Sequence, residues 1–286
     1  MVQEYFQPLE LNEALTFLAS GSAHVLAGGT DLLVNIRNNK IKPTGIVDLS
    51  KVAELKQISR AGDSLVIGAL VTFTELAAHP LIQELVPALV SAAKAVGSPQ
   101  IRNRGTVGGN IANASPAADV VPALVALDGT LTIAKKDSTR NIALSELIVG
   151  PYKTNLQPDE IITKVTITIP EKGTGQAYFK VARRNALAIS RLNGMCLLRV
   201  EKGIIGAVSL VIGSATSTPH RFQTVEEFLV GKNISEELLA EAGVLASEYV
   251  LAKTGRRSSS VYKLPVIERL TVRLLHDAWQ GGKANE

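Results

Sequence analysis

Residues 106–122 read TVGGNIANASPAADVVP. A glycine pair is followed by small hydroxyl and amide side chains, with no charge between Arg104 and Asp119. So much bare backbone suits a tight turn, a closely packed neighbour or a ligand approaching the main chain. LAGGTDLL, residues 26–33, repeats the layout: a glycine pair before a helix start, with a hydroxyl residue next to it. A strand–Gly-Gly–helix turn presents free backbone N–H groups backed by the positive end of the helix dipole, which suits phosphate. Two such loops meeting in space could enclose a diphosphate, with Thr30, Thr106 and Asn110 adding side-chain donors. The charge of Asp31 would repel a phosphate, so Asp31 is expected to cap its helix or to face a sugar hydroxyl. Asp119 suits that second task better, since a carboxylate accepts two adjacent hydroxyl protons. Each loop alone also reads as a structural turn, and the pair leads as far as a phosphorylated ligand.

Around these loops the chain is long enough, at 286 residues, for two domains and a core without staples. The first half alternates short strands with helices. Strands are expected at 24–29, 44–50, 64–70, 130–135 and 160–170. Helices are expected at 30–39, capped by Thr30 or Asp31, at 72–80, stopped by Pro80, and at 84–97. EKGTGQ, residues 171–176, is the expected boundary, with two glycines among polar residues behind a proline. Strands follow at 177–182, 194–201 and 204–213, then helices at 224–231, 235–253 and 265–279. Strands followed by helices imply an α+β domain with helices on one sheet face.

Composition excludes several classes. The longest apolar run, 203–215, is too short for a spanning helix and is broken by Gly and Ser. No signal peptide is visible, and the lone Cys196 fits a reducing compartment, so a cytoplasmic protein is expected. The net charge of +4 is mild. The basic pairs Lys135–Lys136, Arg183–Arg184 and Arg256–Arg257 are scattered in sequence and read as solvated surface, so no nucleic acid is expected. The four histidines fall in no metal-ligand spacing, and one cysteine cannot hold an iron–sulfur cluster. There is no nucleophile elbow, P-loop or Rossmann fingerprint. Redox or hydrolytic chemistry would have to come from something bound.

LAGGTDLL, GSPQIRNRGTVGGNIANASPAAD (97–119) and FKVARRNALAIS (179–190) closely resemble the FAD-binding subunit of molybdenum hydroxylases, over essentially the whole chain. That family includes the medium subunit of carbon monoxide dehydrogenase and the flavin domain of xanthine dehydrogenase. The resemblance implies an α+β chain. Its FAD-binding domain, of the PCMH or vanillyl-alcohol-oxidase type, covers residues 1–172, as two α/β subdomains of about 1–55 and 56–172. A smaller α+β C-terminal domain covers 173–286. It implies noncovalent FAD, with the diphosphate between Leu26, Ala27, Gly28, Gly29, Thr30, Asp31, Leu32 and Leu33 on one side and Thr106, Val107, Gly108, Gly109 and Asn110 on the other. Asp119 matches an aspartate that hydrogen-bonds the cofactor. Ile162 matches an apolar position near it, and Lys180 the lysine of the family's F-K segment. Ile162 also suits an ordinary core position and Lys180 a solvated one.

The implied partners are a large subunit carrying the molybdenum cofactor and a small subunit carrying two [2Fe–2S] clusters, in a heterotrimer. Electrons would leave through this chain's FAD to NAD⁺, oxygen or another acceptor, with no catalytic acid, base or nucleophile of its own. The alternatives are a non-catalytic nucleotide-binding or assembly module, and a stand-alone flavin reductase of the same superfamily.

Overall fold

The computed structural model describes residues 2–21, 23–184 and 187–283, so Asn185 and Ala186 of the FKVARRNALAIS stretch lie outside the described residues. The chain opens with β1 (Glu4–Phe6), α1 (Leu11–Ala19), β2 (Ala23–Leu26), α2 (Leu32–Arg37) and β3 (Gly45–Asp48). These strands form a small parallel sheet in the order β1-β3-β2. Glu10 and Glu13 start α1 with a reciprocal capping box, and Ala14, Leu15 and Leu18 pack it onto the core of this unit.

The second unit runs β4 (Ile58–Ala61), β5 (Ser64–Gly68), α3 (Phe73–Ala78), α4 (Pro80–Leu85), α5 (Pro87–Lys94), α6 (Pro99–Arg102), α7 (Val107–Asn113) and α8 (Val120–Ala126). It continues through β6 (Thr130–Lys135), β7 (Ser138–Ala143), α9 (Leu144–Leu147), β8 (Ile148–Gly150), β9 (Lys153–Thr154) and β10 (Ile161–Thr168). Its main sheet is antiparallel, ordered β4-β5-β10-β6-β7. Two helix expectations change. The helix expected over 84–97 is broken at Val86, because Pro87 lacks an N–H and disfavours helical backbone at the residue before it. Pro80 does not merely stop α3; it occupies the first turn of α4, where its missing N–H costs nothing.

The last unit is the antiparallel sheet β11 (Gly175–Ala182), β12 (Ser190–Glu201) and β13 (Ile204–Gly213), followed by α10 (Gln223–Leu229), α11 (Glu236–Thr254) and α12 (Ser260–Lys283). α12 packs on β11 and β12, and α11 packs on α12. The other side of this sheet rests on α5 and α8. For that reason all seven residues of α8 are buried, and Met195 and Val211 join the core of the second unit. Apolar residues on both sides of the sheet thus lock the C-terminal unit against the rest of the chain.

β10 alternates as its sequence demands from Lys164 onward, with Val165 and Ile167 inward. At its start Ile161 and Ile162 are both buried, because a register shift against β6 falls between Ile162 and Lys164. A bulge of this kind re-aims one side chain without ending the strand.

Candidate functional site

The two glycine loops meet. β2 ends at Leu26 and turns through Gly28 and Gly29 into α2, with Gly29 at φ +76, a conformation that glycine adopts without strain. Gly28 lies against the backbone of Arg104 and Gly105, close enough that a Cβ there would overlap the Arg104 carbonyl. The second loop begins with Thr106, whose side chain caps α7 by accepting from Gly109 N at 3.1 Å.

The two loops use their amides differently. Val107 N donates to Val71 O at 2.9 Å and Gly108 N to Ala69 O at 2.8 Å, which ties the start of α7 to the chain after β5. The expectation of outward-pointing free amides therefore fails for this loop, whose glycines lie inside the first turn of α7 behind α6 rather than after a strand. In the first loop, among the described residues, no hydrogen bond engages the N–H of Gly28, Gly29, Thr30 or Asp31. Neither Thr30 nor Asp31 caps α2: Asp31 stands at the cap position with αR backbone and no side-chain cap bond. Gly28 to Asp31 thus carry amides without a partner in the chain and line one cleft with the capped start of α7.

Between the loops lies a cleft of about 310 Å³, at the lower end of the range typical of ligand pockets. Ala27, Gly28, Gly29, Thr30, Asp31 and Leu32 line one side, and Thr106, Gly108, Gly109 and Asn110 the other. Leu70, Phe73, Val96 and Ile101 give it an apolar wall, and Ile161 and Ile162 enter from the bulged start of β10. Asn110 Oδ1 is buried there with no hydrogen-bond partner. A buried acceptor left unpaired costs about 1–3 kcal/mol, so it marks a place built to meet a donor. Burial pushes the Asp31 carboxyl above its ordinary range, partly offset by a hydrogen bond from Asn113, which lowers the charge it presents to an anion.

Five expected residues do not line the cleft. Leu26 and Leu33 flank Gly29 from behind, Val107 is fully buried in the core, and Asp119 and Lys180 hold each other. Lys180 Nζ donates to Asp119 Oδ2 at 2.7 Å and to Ala95 O at 2.8 Å. Asn193 Nδ2 and Tyr178 Oη donate to Asp119 Oδ1 at 3.2 and 3.3 Å. The aspartate comes from the start of α8 and its three partners from β11 and β12, so the cluster bridges the chain's two halves. Burial pushes the Asp119 carboxyl up, against the pull of Lys180, Asn193 and Tyr178, and burial raises the Tyr178 phenol well above its usual range.

Sequence reasoning missed Asn113 and Glu160. Asn113 sits one turn beyond Asn110 on α7 and lines the same cleft, a spacing readable in NIAN. Glu160, buried at the cleft's edge, takes a two-pronged ion pair from Arg140, Nε to Oε1 at 2.7 Å and Nη2 to Oε2 at 2.8 Å. That guanidinium holds the Glu160 carboxyl below its ordinary value. No local signal ties Arg140 to Glu160. Among the described residues, no group of three or more His, Cys, Asp or Glu is placed to hold a metal, and no helix is long and apolar enough to cross a membrane.

A family model described as the FAD binding domain in molybdopterin dehydrogenase matches residues 1–171, and one described as the CO dehydrogenase flavoprotein C-terminal domain matches 177–278. The chain is 34% identical to the nicotinate dehydrogenase FAD-subunit of Eubacterium barkeri, over 96% of this chain and 95% of that one. Among solved structures, carbon monoxide dehydrogenase from Hydrogenophaga pseudoflava aligns with a TM-score of 0.91 at 26% identity, over 98% of each chain. Quinoline 2-oxidoreductase from Pseudomonas putida 86 aligns with a TM-score of 0.91 at 29% identity, over 99% of this chain and 98% of that one.

Proposed function

This chain belongs to the family of FAD-binding medium subunits of molybdenum hydroxylases, and we propose from that premise that it is the electron exit of such an enzyme. In this reading it receives electrons from the [2Fe–2S] clusters of a small subunit, in a complex whose large subunit carries the molybdenum cofactor. It delivers them to NAD⁺, oxygen or another acceptor, in the cytoplasm. The observation that carries the reading is the set of partnerless amides in Gly28–Asp31, which line one cleft together with Thr106, Gly108, Gly109 and Asn110.

The residues present fit FAD. The amides of Gly28, Gly29 and Thr30 and the Thr30 hydroxyl would hold the diphosphate, with the positive end of α2 behind them. Asn110 Oδ1 would accept from a sugar or ribityl hydroxyl. Leu70, Phe73, Val96 and Ile101 would exclude water from the ring system. When bound, FAD supplies the redox chemistry, and the protein supplies binding, orientation and electrostatics. Asp119 and Lys180 act in this reading through position: their pair sets the C-terminal sheet against Ala95, next to the cleft-lining Val96. The division between the two domains is placed at residue 172.

The test is purification of the native complex. A flavin chromophore at one per chain, bleached when the complex turns over its hydroxylation substrate, is expected together with molybdenum- and iron-containing subunits. A chain purified alone from its native source, colourless and refusing added FAD, would contradict it.

A further inference from the structure

One wall of the cofactor cleft is braced by an ion pair that does not itself reach into it. Leu156, Ile161 and Ile162 line the cleft, the first from the segment between β9 and β10 and the others from the first two residues of β10. Residues 155–160 are neither helix nor strand. Arg140, on the edge strand β7, closes this segment at both ends. Its Nη2 donates to Asn155 O at 3.4 Å and to Glu160 Oε2 at 2.8 Å, and its Nε donates to Glu160 Oε1 at 2.7 Å. Glu160 Oε2 also accepts from Gln157 N at 2.8 Å, while Glu160 N donates to Gln157 O at 3.1 Å. The strand register sets this up, since Arg140 pairs with Ile133 on β6 and Ile133 pairs with Ile162 on β10.

Stability alone is a weak reason for this pair. The Glu160 side chain is 6% exposed, and a carboxylate buried to that degree gains little net stability from its partner over an apolar replacement. What a guanidinium fork does supply is geometry, because two parallel bonds fix the orientation of the carboxylate. That restraint falls beside three apolar residues of the cleft. It also falls at the end of β10 where the register shift between Ile162 and Lys164 interrupts the ladder. Arg140 is not among the residues lining the cleft, and both Glu160 oxygens are engaged within the chain. The pair therefore acts on a ligand through Leu156, Ile161 and Ile162.

We propose that Arg140 and Glu160 are positioning residues for the cofactor: their pair sets Leu156, Ile161 and Ile162 against one planar ring of FAD, the isoalloxazine or the adenine. The inference rests on the FAD reading above and adds to it the residues that hold this wall in place. An apolar wall gains from a flat ring in proportion to the area removed from water, and loses that gain when its side chains shift. Functional geometry has to be held within about 0.5 Å, and a two-pronged ion pair behind the wall supplies that restraint.

The experiment titrates the full chain with FAD, riboflavin, ADP and inorganic pyrophosphate, in wild type, Glu160→Gln, Arg140→Met and Arg140→Lys. FAD affinity is expected to fall about tenfold in Glu160→Gln and Arg140→Met. Pyrophosphate affinity should stay unchanged, because the glycine loops are untouched. Arg140→Lys keeps the charge without the fork and should fall between Arg140→Met and wild type. A parallel loss for riboflavin, with an altered absorption band of bound FAD, identifies the isoalloxazine. A parallel loss for ADP, with an unaltered band, identifies the adenine. Circular dichroism and unfolding midpoints are measured alongside; should Arg140→Met fail to fold, Glu160→Gln and Arg140→Lys carry the test. Wild-type FAD affinity in the folded variants overturns the inference, as does an equal loss for pyrophosphate, the mark of a general collapse of the cleft. A wild-type chain that takes up no FAD overturns the function proposed above together with this inference. A wild-type chain that binds FAD, with variants that match it, overturns this inference alone.

Discussion

Gly28 packs against the carbonyl of Arg104, so the early loop is seated directly on the segment leading into α7. The contact is backbone to backbone, and neither side can yield by changing a rotamer. It is what makes two loops, 80 residues apart as counted from Gly28 to Gly108, the two sides of one cleft.

Replacing Gly28 by Ala therefore pushes the loops apart. The expected cost is about 2 kcal/mol or more of unfolding free energy, the scale of overpacking a site that cannot relax, together with loss of FAD binding. Urea unfolding and flavin titration of the variant check it. A variant with wild-type stability and full flavin content would show that the close approach is not required.

Asn110 separates binding from folding. Its buried Oδ1 has no partner in the chain alone, so Asn110→Ala removes an unsatisfied acceptor. The cofactor-free variant should be as stable as wild type or more stable by up to about 1 kcal/mol. Its FAD affinity should fall about tenfold, the ~1.4 kcal/mol of a hydrogen bond made only to the ligand. Thermal unfolding without FAD and fluorescence titration with FAD measure the two effects. A loss of cofactor-free stability would mean that Asn110 serves the fold.

Lys180→Met leaves Asp119 buried without its cation, which costs about 3 kcal/mol at neutral pH. The cost depends on pH with a definite sign. The Asp119 carboxyl is already raised in the folded chain, so the stability this group contributes is present at low pH and is lost as pH rises through the folded pKa, above 3.8. Removing the ammonium raises that pKa further. The deficit of the variant should then be smaller at pH 5 than at pH 7, read from urea midpoints. Equal deficits at both values would contradict the buried pairing.

Much of the fold was legible because its signals are local. The alternation of β10, the strand of residues 130–135 and the breaks at glycine and proline each follow from a few neighbouring residues. Leu26 to Leu33 and Thr106 to Asn110 were recognisable as paired loops, and eleven of the sixteen expected site residues line the cleft. The division of labour between those loops was not legible. Whether Gly108 N is free depends on Ala69, 39 residues away, and only the folded chain shows the amide to be occupied. Asp119 and Lys180 illustrate the same limit. Each looked like a group free to meet a ligand, and they satisfy each other across 61 residues of sequence. The bulge that re-aims Ile162 depends on pairing with β6, which no pattern within 160–170 reveals.

Titration of the purified chain with FAD and with riboflavin, which shares the ring and ribityl chain but lacks the diphosphate, isolates what the paired loops do. The account predicts one FAD per chain, bound at least about a hundredfold more tightly than riboflavin, as two charge-assisted hydrogen bonds to the diphosphate would supply. Equal affinities for the two would place the binding energy elsewhere and contradict the central claim.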